Sequence, residues 1–159
     1  MYAELLNEEF DYDPVRFVEL VAQAPHWMID ECRREGDAAE KLTIENFIFM
    51  GEELELIDES IEALRGKGDF IFEGSSSPVD VKNSSRHLSC SISYPKPKQI
   101  EFYQQKTFML IELYKAQNKI RIWGSCDWEF ALKHGDKTKG KNYIVVQEWM
   151  IKQFTSVKK

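Results

Sequence analysis

Residues 68 to 82 read Gly68-Asp69-Phe70-Ile71-Phe72-Glu73-Gly74-Ser75-Ser76-Ser77-Pro78-Val79-Asp80-Val81-Lys82. Two short apolar runs, 69–73 and 79–83, flank a turn of Gly, Ser and Pro, which predicts two strands. Side chains alternate between the faces of a strand, so Asp80 and Lys82 share one face while Val79 and Val81 anchor the other in the core. Asp69 opens the preceding strand, and the short connection can bring its carboxylate toward Asp80. Two converging carboxylates repel unless a cation lies between them. Hard oxygen ligands of this kind suit magnesium, or manganese in its place. A lysine two residues further along can orient or help deprotonate an attacking water, or stabilise charge developing on phosphate. On an exposed strand the same Asp80 and Lys82 would serve only in cross-strand ion pairs.

Downstream, Leu88, Cys90 and Ile92 alternate with Ser89, Ser91 and Ser93, as on a half-buried strand. Tyr94-Pro95-Lys96-Pro97-Lys98 breaks the pattern, and a short helix is expected over 99–106. Residues 108–115 and 119–123 read as a hairpin across Ala116-Gln117-Asn118, and 133–141 as a basic, glycine-containing loop. A last apolar stretch covers 143–154. Upstream the period changes to that of helices. Asp13-Pro14 supplies an N-cap and a first-turn proline, Pro25 divides the segment, and Gly36-Asp37 ends it. Thr43-Ile44-Glu45-Asn46 then caps a second helix. Its face is Phe47, Met50, Leu54, Ile57, Ile61 and Leu64, and it runs to Gly66-Lys67-Gly68, although the Leu54/Leu56 alternation also allows a strand. The expected architecture is one α+β domain over 1–159: N-terminal helices in 1–66, then a mixed or antiparallel sheet with a short helix in 67–159.

The chain has 159 residues, 43% hydrophobic and 13% aromatic, enough for a sizeable core and too apolar for disorder. Its apolar runs are as short as 108–111, so no membrane span is expected. Met1-Tyr2-Ala3-Glu4 carries no secretory pattern. Cys32, Cys90 and Cys126 are odd in number and widely spaced, which suits buried thiols in a reducing, cytoplasmic setting. The net charge of −6 conceals an uneven distribution. Residues 1–66 hold 18 acidic and 5 basic side chains, whereas 67–159 hold 9 acidic and 16 basic. A basic strand-rich half can meet a polyanion such as DNA despite the low overall charge.

The spacing of Asp69, Asp80 and Lys82 resembles the PD-(D/E)xK nuclease superfamily. That pattern is an acid, a spacer, then acid, apolar residue and lysine on the next strand. The turn at Asn83-Ser84-Ser85, the helix near 99–106 and the apolar strand from Phe108 extend the likeness over about residues 44–124. The resemblance implies a restriction endonuclease-like core and magnesium-dependent hydrolysis of DNA phosphodiester bonds. It also implies a glutamine or lysine from the helix after the lysine strand, for which Gln99, Gln104 and Lys106 are the candidates. A further metal-binding acid comes from the family's first helix, and Asp58 is the acid nearest the expected helical face. With that helix running to Gly66, no room is left for the strand the family places before its first acid.

Phosphate contacts are expected from Lys96, Lys98 and Gln104, and from Lys133, Lys137, Lys139 and Lys141 in the basic loop. His26, His87 and His134 form no recognisable pair, and Gly66-x-Gly68 lacks the rest of a phosphate loop. Trp123, Trp128, Tyr143 and Trp149 read as core, and Asp127 and Glu129 as surface charge on a strand. A chain of this size acting on a duplex implies a homodimer or a larger complex. The alternative from another class is an acidic inhibitor or immunity-type module, whose N-terminal half blocks a basic, nucleic-acid-binding protein.

Overall fold

The computed structural model describes residues 1–157. It is an α+β arrangement of five helices, a mixed six-stranded sheet and a two-stranded sheet. The chain opens with strand β1 (Ala3–Asp11), helix α1 (Pro14–Gln23) and helix α2 (Glu31–Phe49). Strands β2 (Leu54–Leu56), β3 (Phe70–Phe72), β4 (Val79–Asn83) and β5 (Ser89–Ser93) follow, and then helix α3 (Ile100–Gln105). The hairpin of β6 (Thr107–Tyr114) and β7 (Lys119–Asp127) leads to helix α4 (Trp128–His134), strand β8 (Tyr143–Gln147) and helix α5 (Glu148–Val157). The large sheet has the order β1-β7-β6-β4-β3-β2, and β5 pairs with β8. Among the described residues only β4 and β6 run parallel, with Val79 opposite Thr107 and Asn83 opposite Ile111. The crossover between them carries β5 and α3, as a parallel pair requires.

Both faces of the sheet are covered. One packs Phe70, Val79, Val81, Ile111, Ile120 and Ile122 against Phe17, Leu20, Ala38, Ala39 and Leu42 of α1 and α2. The other packs Phe108, Leu110, Trp123 and Cys126 against α3, α4, α5 and the β5–β8 pair. Val79 and Val81 thus anchor β4 to the α2 side, as alternation predicted, and leave Asp80 and Lys82 on the opposite side.

The helical half departs from expectation in three places. Residues 3–11 form β1, an edge strand whose exposed positions carry Glu4, Glu8, Glu9 and Asp11. Charges suit a sheet edge but erase the alternation by which a strand is recognised. Secondly, α2 passes through Gly36-Asp37 and Thr43 without a break. Gly36 lies against β4, where an added Cβ would stand 3.3 Å from Asn83 Nδ2. The Thr43 hydroxyl caps nothing and donates back to Ala39 O at 2.9 Å. Thirdly, the helix ends at Phe49, beyond which Gly51 takes φ +87°, and 54–56 is a strand rather than more helix. Only one 3-10 turn, Glu62–Leu64, remains of the expected second helix beyond that point.

Smaller corrections follow from the same packing. Asp127 is not on an outward strand face; it caps α4 by accepting from Phe130 N at 2.9 Å. Trp149 and Cys32 are exposed rather than buried. The α1–α2 junction is held by Arg34, whose guanidinium donates to the carbonyls of Val21, Ala22, Ala24, Pro25 and Met28. It thereby satisfies acceptors left open where α1 ends before Pro25.

Candidate functional site

The site forms where β3 and β4 part. The two strands share one register pair, Phe70 with Val79, and beyond it β4 has no strand partner on that side. Backbone N–H groups cannot be left unpaired, and here carboxylates take the place of a strand. Asp69 Oδ2 accepts from Val81 N at 2.7 Å, and Glu40 Oε1 from Asn83 N at 3.2 Å. Asp69 and Glu40 are therefore built into the edge of β4, on either side of Lys82.

Asp80 is only 7% exposed, which excludes the outward-facing strand reading. Its Oδ2 accepts from Lys106 Nζ at 2.9 Å, and its Oδ1 lies 3.5 Å from Lys82 Nζ. Lys106 is 2% exposed. Its ammonium also donates to Gly66 O at 2.9 Å and lies 3.8 Å from the centre of the Tyr103 ring. A lysine buried this deeply is tolerated because a carboxylate, a carbonyl and a π-face surround it. Of the three residues expected to reach the phosphates from the α3 segment, Lys106 is the one brought to Asp80. Gln99 instead packs on the Gly66 turn, and Gln104 is exposed. Glu59 closes the cluster from the loop after β2, where its Oε2 accepts from Gly66 N at 3.4 Å.

The charges do not balance evenly. Burial would raise the Asp80 carboxyl, but Lys82 and Lys106 outweigh it and hold it below the ordinary carboxylate range. Asp69 is pushed up to about 7 by burial and by the charge of Asp80. Glu40 is pushed up to about 8, by burial first, with Asp69 and Asp80 adding to it against the opposing charge of Lys82. Lys82 is held above its ordinary value, chiefly by Asp80. A carboxyl raised in the folded state contributes stability that is complete below its unfolded pKa and is lost as pH rises through the folded value. For Glu40 and Asp69 that window runs from roughly pH 4 to 8. The melting temperature should therefore fall between pH 6 and pH 9, and Glu40→Gln should flatten the fall. Melts followed by circular dichroism check this, and an unchanged slope in Glu40→Gln would contradict it.

Asp58, expected as the helix acid, is not brought to this cluster. It is exposed, and its Oδ1 accepts from both the backbone N and the hydroxyl of Ser60, at 3.0 and 2.5 Å. The helix carboxylate present is Glu40, three residues before the Thr43 expected to start the second helix. It stood in Ala38-Ala39-Glu40-Lys41-Leu42, a strong helix-forming run with no breaker, which argues for one continuous helix. Lys96 and Lys98 are exposed beside the 3-10 turn Pro97–Gln99. Lys133 lies in the last turn of α4, and Lys137, Lys139 and Lys141 lie on the loop before β8, held locally by Asp136–Thr138 and Tyr143–Lys139 hydrogen bonds.

In kind, the oxygen donors of Glu40, Asp69 and Asp80 fit magnesium or manganese. Asp69 Oδ1 and Glu40 Oε2 are not engaged by the bonds that seal the strand edge. As the side chains stand, however, no three Asp, Glu, His or Cys residues among the described residues are grouped to hold a metal ion. Asp80 is turned toward its two lysines instead. Comparison with protein-family models, with curated proteins and with solved structures finds no match.

Proposed function

We propose that the protein is a magnesium- or manganese-dependent nuclease that hydrolyses phosphodiester bonds of DNA. One observation carries the reading: at the unpaired end of β4, Asp69 and Glu40 flank Lys82, whose ammonium lies beside Asp80, although these residues come from three separate segments. The order α2, β2, β3, β4, then β5 and α3 in the crossover to β6, supports it as well. β2 supplies the strand between first helix and first acid that the PD-(D/E)xK resemblance implies, and Glu40 supplies the acid from that helix.

Glu40, Asp69 and Asp80 would hold the metal, which when bound would neutralise charge on the phosphate as a Lewis acid. Lys82 and Lys106 together keep Asp80 ionised, and Lys106 fixes it from behind. Lys82 makes the looser contact with Asp80 and is the more exposed of the two lysines, so it is placed to orient the attacking water or to meet developing charge on phosphate. Supercoiled and linear DNA, incubated with magnesium or manganese and with a chelator as control, test the reading. Cleavage should require metal. Asp69→Asn, which can still accept from Val81 N, and Lys82→Ala should each reduce the rate about 10²-fold or more with little change in melting temperature. Absence of cleavage with either metal, or full activity in both variants, would refute the assignment.

A non-enzymatic reading draws on a different surface. Phe49, Met50 and Leu56 are exposed beside Glu52, Glu53 and Glu55, an apolar patch within acidic surroundings that suits a basic protein partner. On this reading the protein cleaves no DNA, and charge reversal at Glu53 and Glu55 would abolish binding to the basic partner.

A further inference from the structure

A groove of about 780 Å³ lies between the 3-10 turn Glu62–Leu64 and the start of α3. Ala63, Pro97 and Phe102 give it an apolar lining, and Arg65, Lys96 and Lys98 surround it with positive charge against the single acid Glu62. It adjoins the carboxylate–lysine cluster through one turn of chain. Gly66 accepts from Lys106 and donates to Glu59 on the side of the cluster. Gln99, which lines the groove, packs so closely on Gly66 that an added Cβ would meet Gln99 Cγ and Cδ at 2.8 Å.

An apolar, aromatic-lined recess with a basic rim matches the two halves of a nucleotide, a flat base and a phosphate. Stacked bases inside a duplex offer a groove like this only their phosphates, and the recess would stay empty. We infer that this groove takes one unstacked nucleotide of a single-stranded segment, its base on Phe102 and its phosphate among Arg65, Lys96 and Lys98. That this nucleotide flanks the bond to be cut rests on the nuclease reading; that the groove binds single strands does not.

The test uses a fluorescein-labelled 15-nucleotide oligodeoxynucleotide, single-stranded or annealed, and fluorescence anisotropy in a chelating buffer that prevents cleavage. The single strand should bind about tenfold or more tighter than the duplex. Lys96→Ala with Lys98→Ala should weaken binding and lower its salt dependence, because two phosphate contacts are lost. Phe102→Leu keeps an apolar side chain but removes the ring, and should weaken the single strand about fivefold or more without affecting the duplex. Equal affinity for the two forms, or unchanged binding by Phe102→Leu, would overturn the inference. Single-strand binding that Phe102→Leu weakens, in a protein that cleaves nothing, would uphold the groove while the nuclease reading fell. Metal-dependent cleavage together with single-strand binding that ignores all three substitutions would do the reverse.

Discussion

Asp80→Ala should lower the stability of the protein by about 3–5 kcal/mol, because it leaves the buried Lys106 ammonium without its carboxylate. The loss exceeds what the salt bridge contributes in a net sense. Desolvating both ions largely cancels their attraction, whereas an orphaned buried charge retains the whole penalty. Replacing both residues, Asp80→Ala with Lys106→Met, should therefore recover most of the loss. Urea unfolding of the wild type, the single variants and the double variant, followed by far-UV circular dichroism, measures the cycle. A double variant no more stable than Asp80→Ala would show that Lys106 is not the origin of the cost. The same cycle bears on the site, since Lys106 holds Asp80 Oδ2 while Oδ1 remains beside Lys82.

Trp123→Ala should cost a similar amount, about 3–5 kcal/mol, for a different reason. The indole is fully buried on β7, on the α3–α5 side of the sheet. Its Nε1 donates to Ser84 Oγ at 2.9 Å, and that hydroxyl reaches Ile111 O at 2.8 Å. Ser84 follows the last residue of β4, so the tryptophan also ties down the end of the strand that carries Asp80 and Lys82. Trp123→Phe would fill most of the space but leave Ser84 Oγ without its donor. It should lie between wild type and Trp123→Ala in urea midpoint. An unfolding free energy for Trp123→Ala within a few tenths of a kcal/mol of wild type would mean that the cavity collapses.

The strands bearing the site were legible because their physical signal is local. Val79-Asp80-Val81-Lys82 alternates with period two, Leu88–Ser93 does the same, and the β6–β7 hairpin turns at Asn118, which takes φ +51°. What stayed hidden depends on contacts distant in sequence. β1 is a strand because β7 lies beside it, and its run of acids gives no hint of that. Gly36 and Thr43 resemble a stop and a start, yet tertiary packing overrides both: Gly36 fits against Asn83, and the helix continues. A helix ended at Gly36-Asp37 leaves Glu40 outside any helix and makes Asp58 the acid nearest the second helical face. Nothing local separates Lys106 from Gln99 and Gln104. The parallel register of β4 and β6, with Val79 opposite Thr107, sets it beside Asp80, and no local pattern encodes that register.

The parting of β3 from β4 has a consequence for solubility and assembly. A strand edge with free N–H groups is a template on which another chain can add itself, in fibrils or by strand exchange. Here the donors at Val81 and Asn83 are already occupied by Asp69 and Glu40, and an incoming strand would have to displace two carboxylates to gain two hydrogen bonds. The acids that shape the site thus also act as gatekeepers against self-association. A substitution that frees them to do better chemistry would expose the unpaired N–H groups of β4.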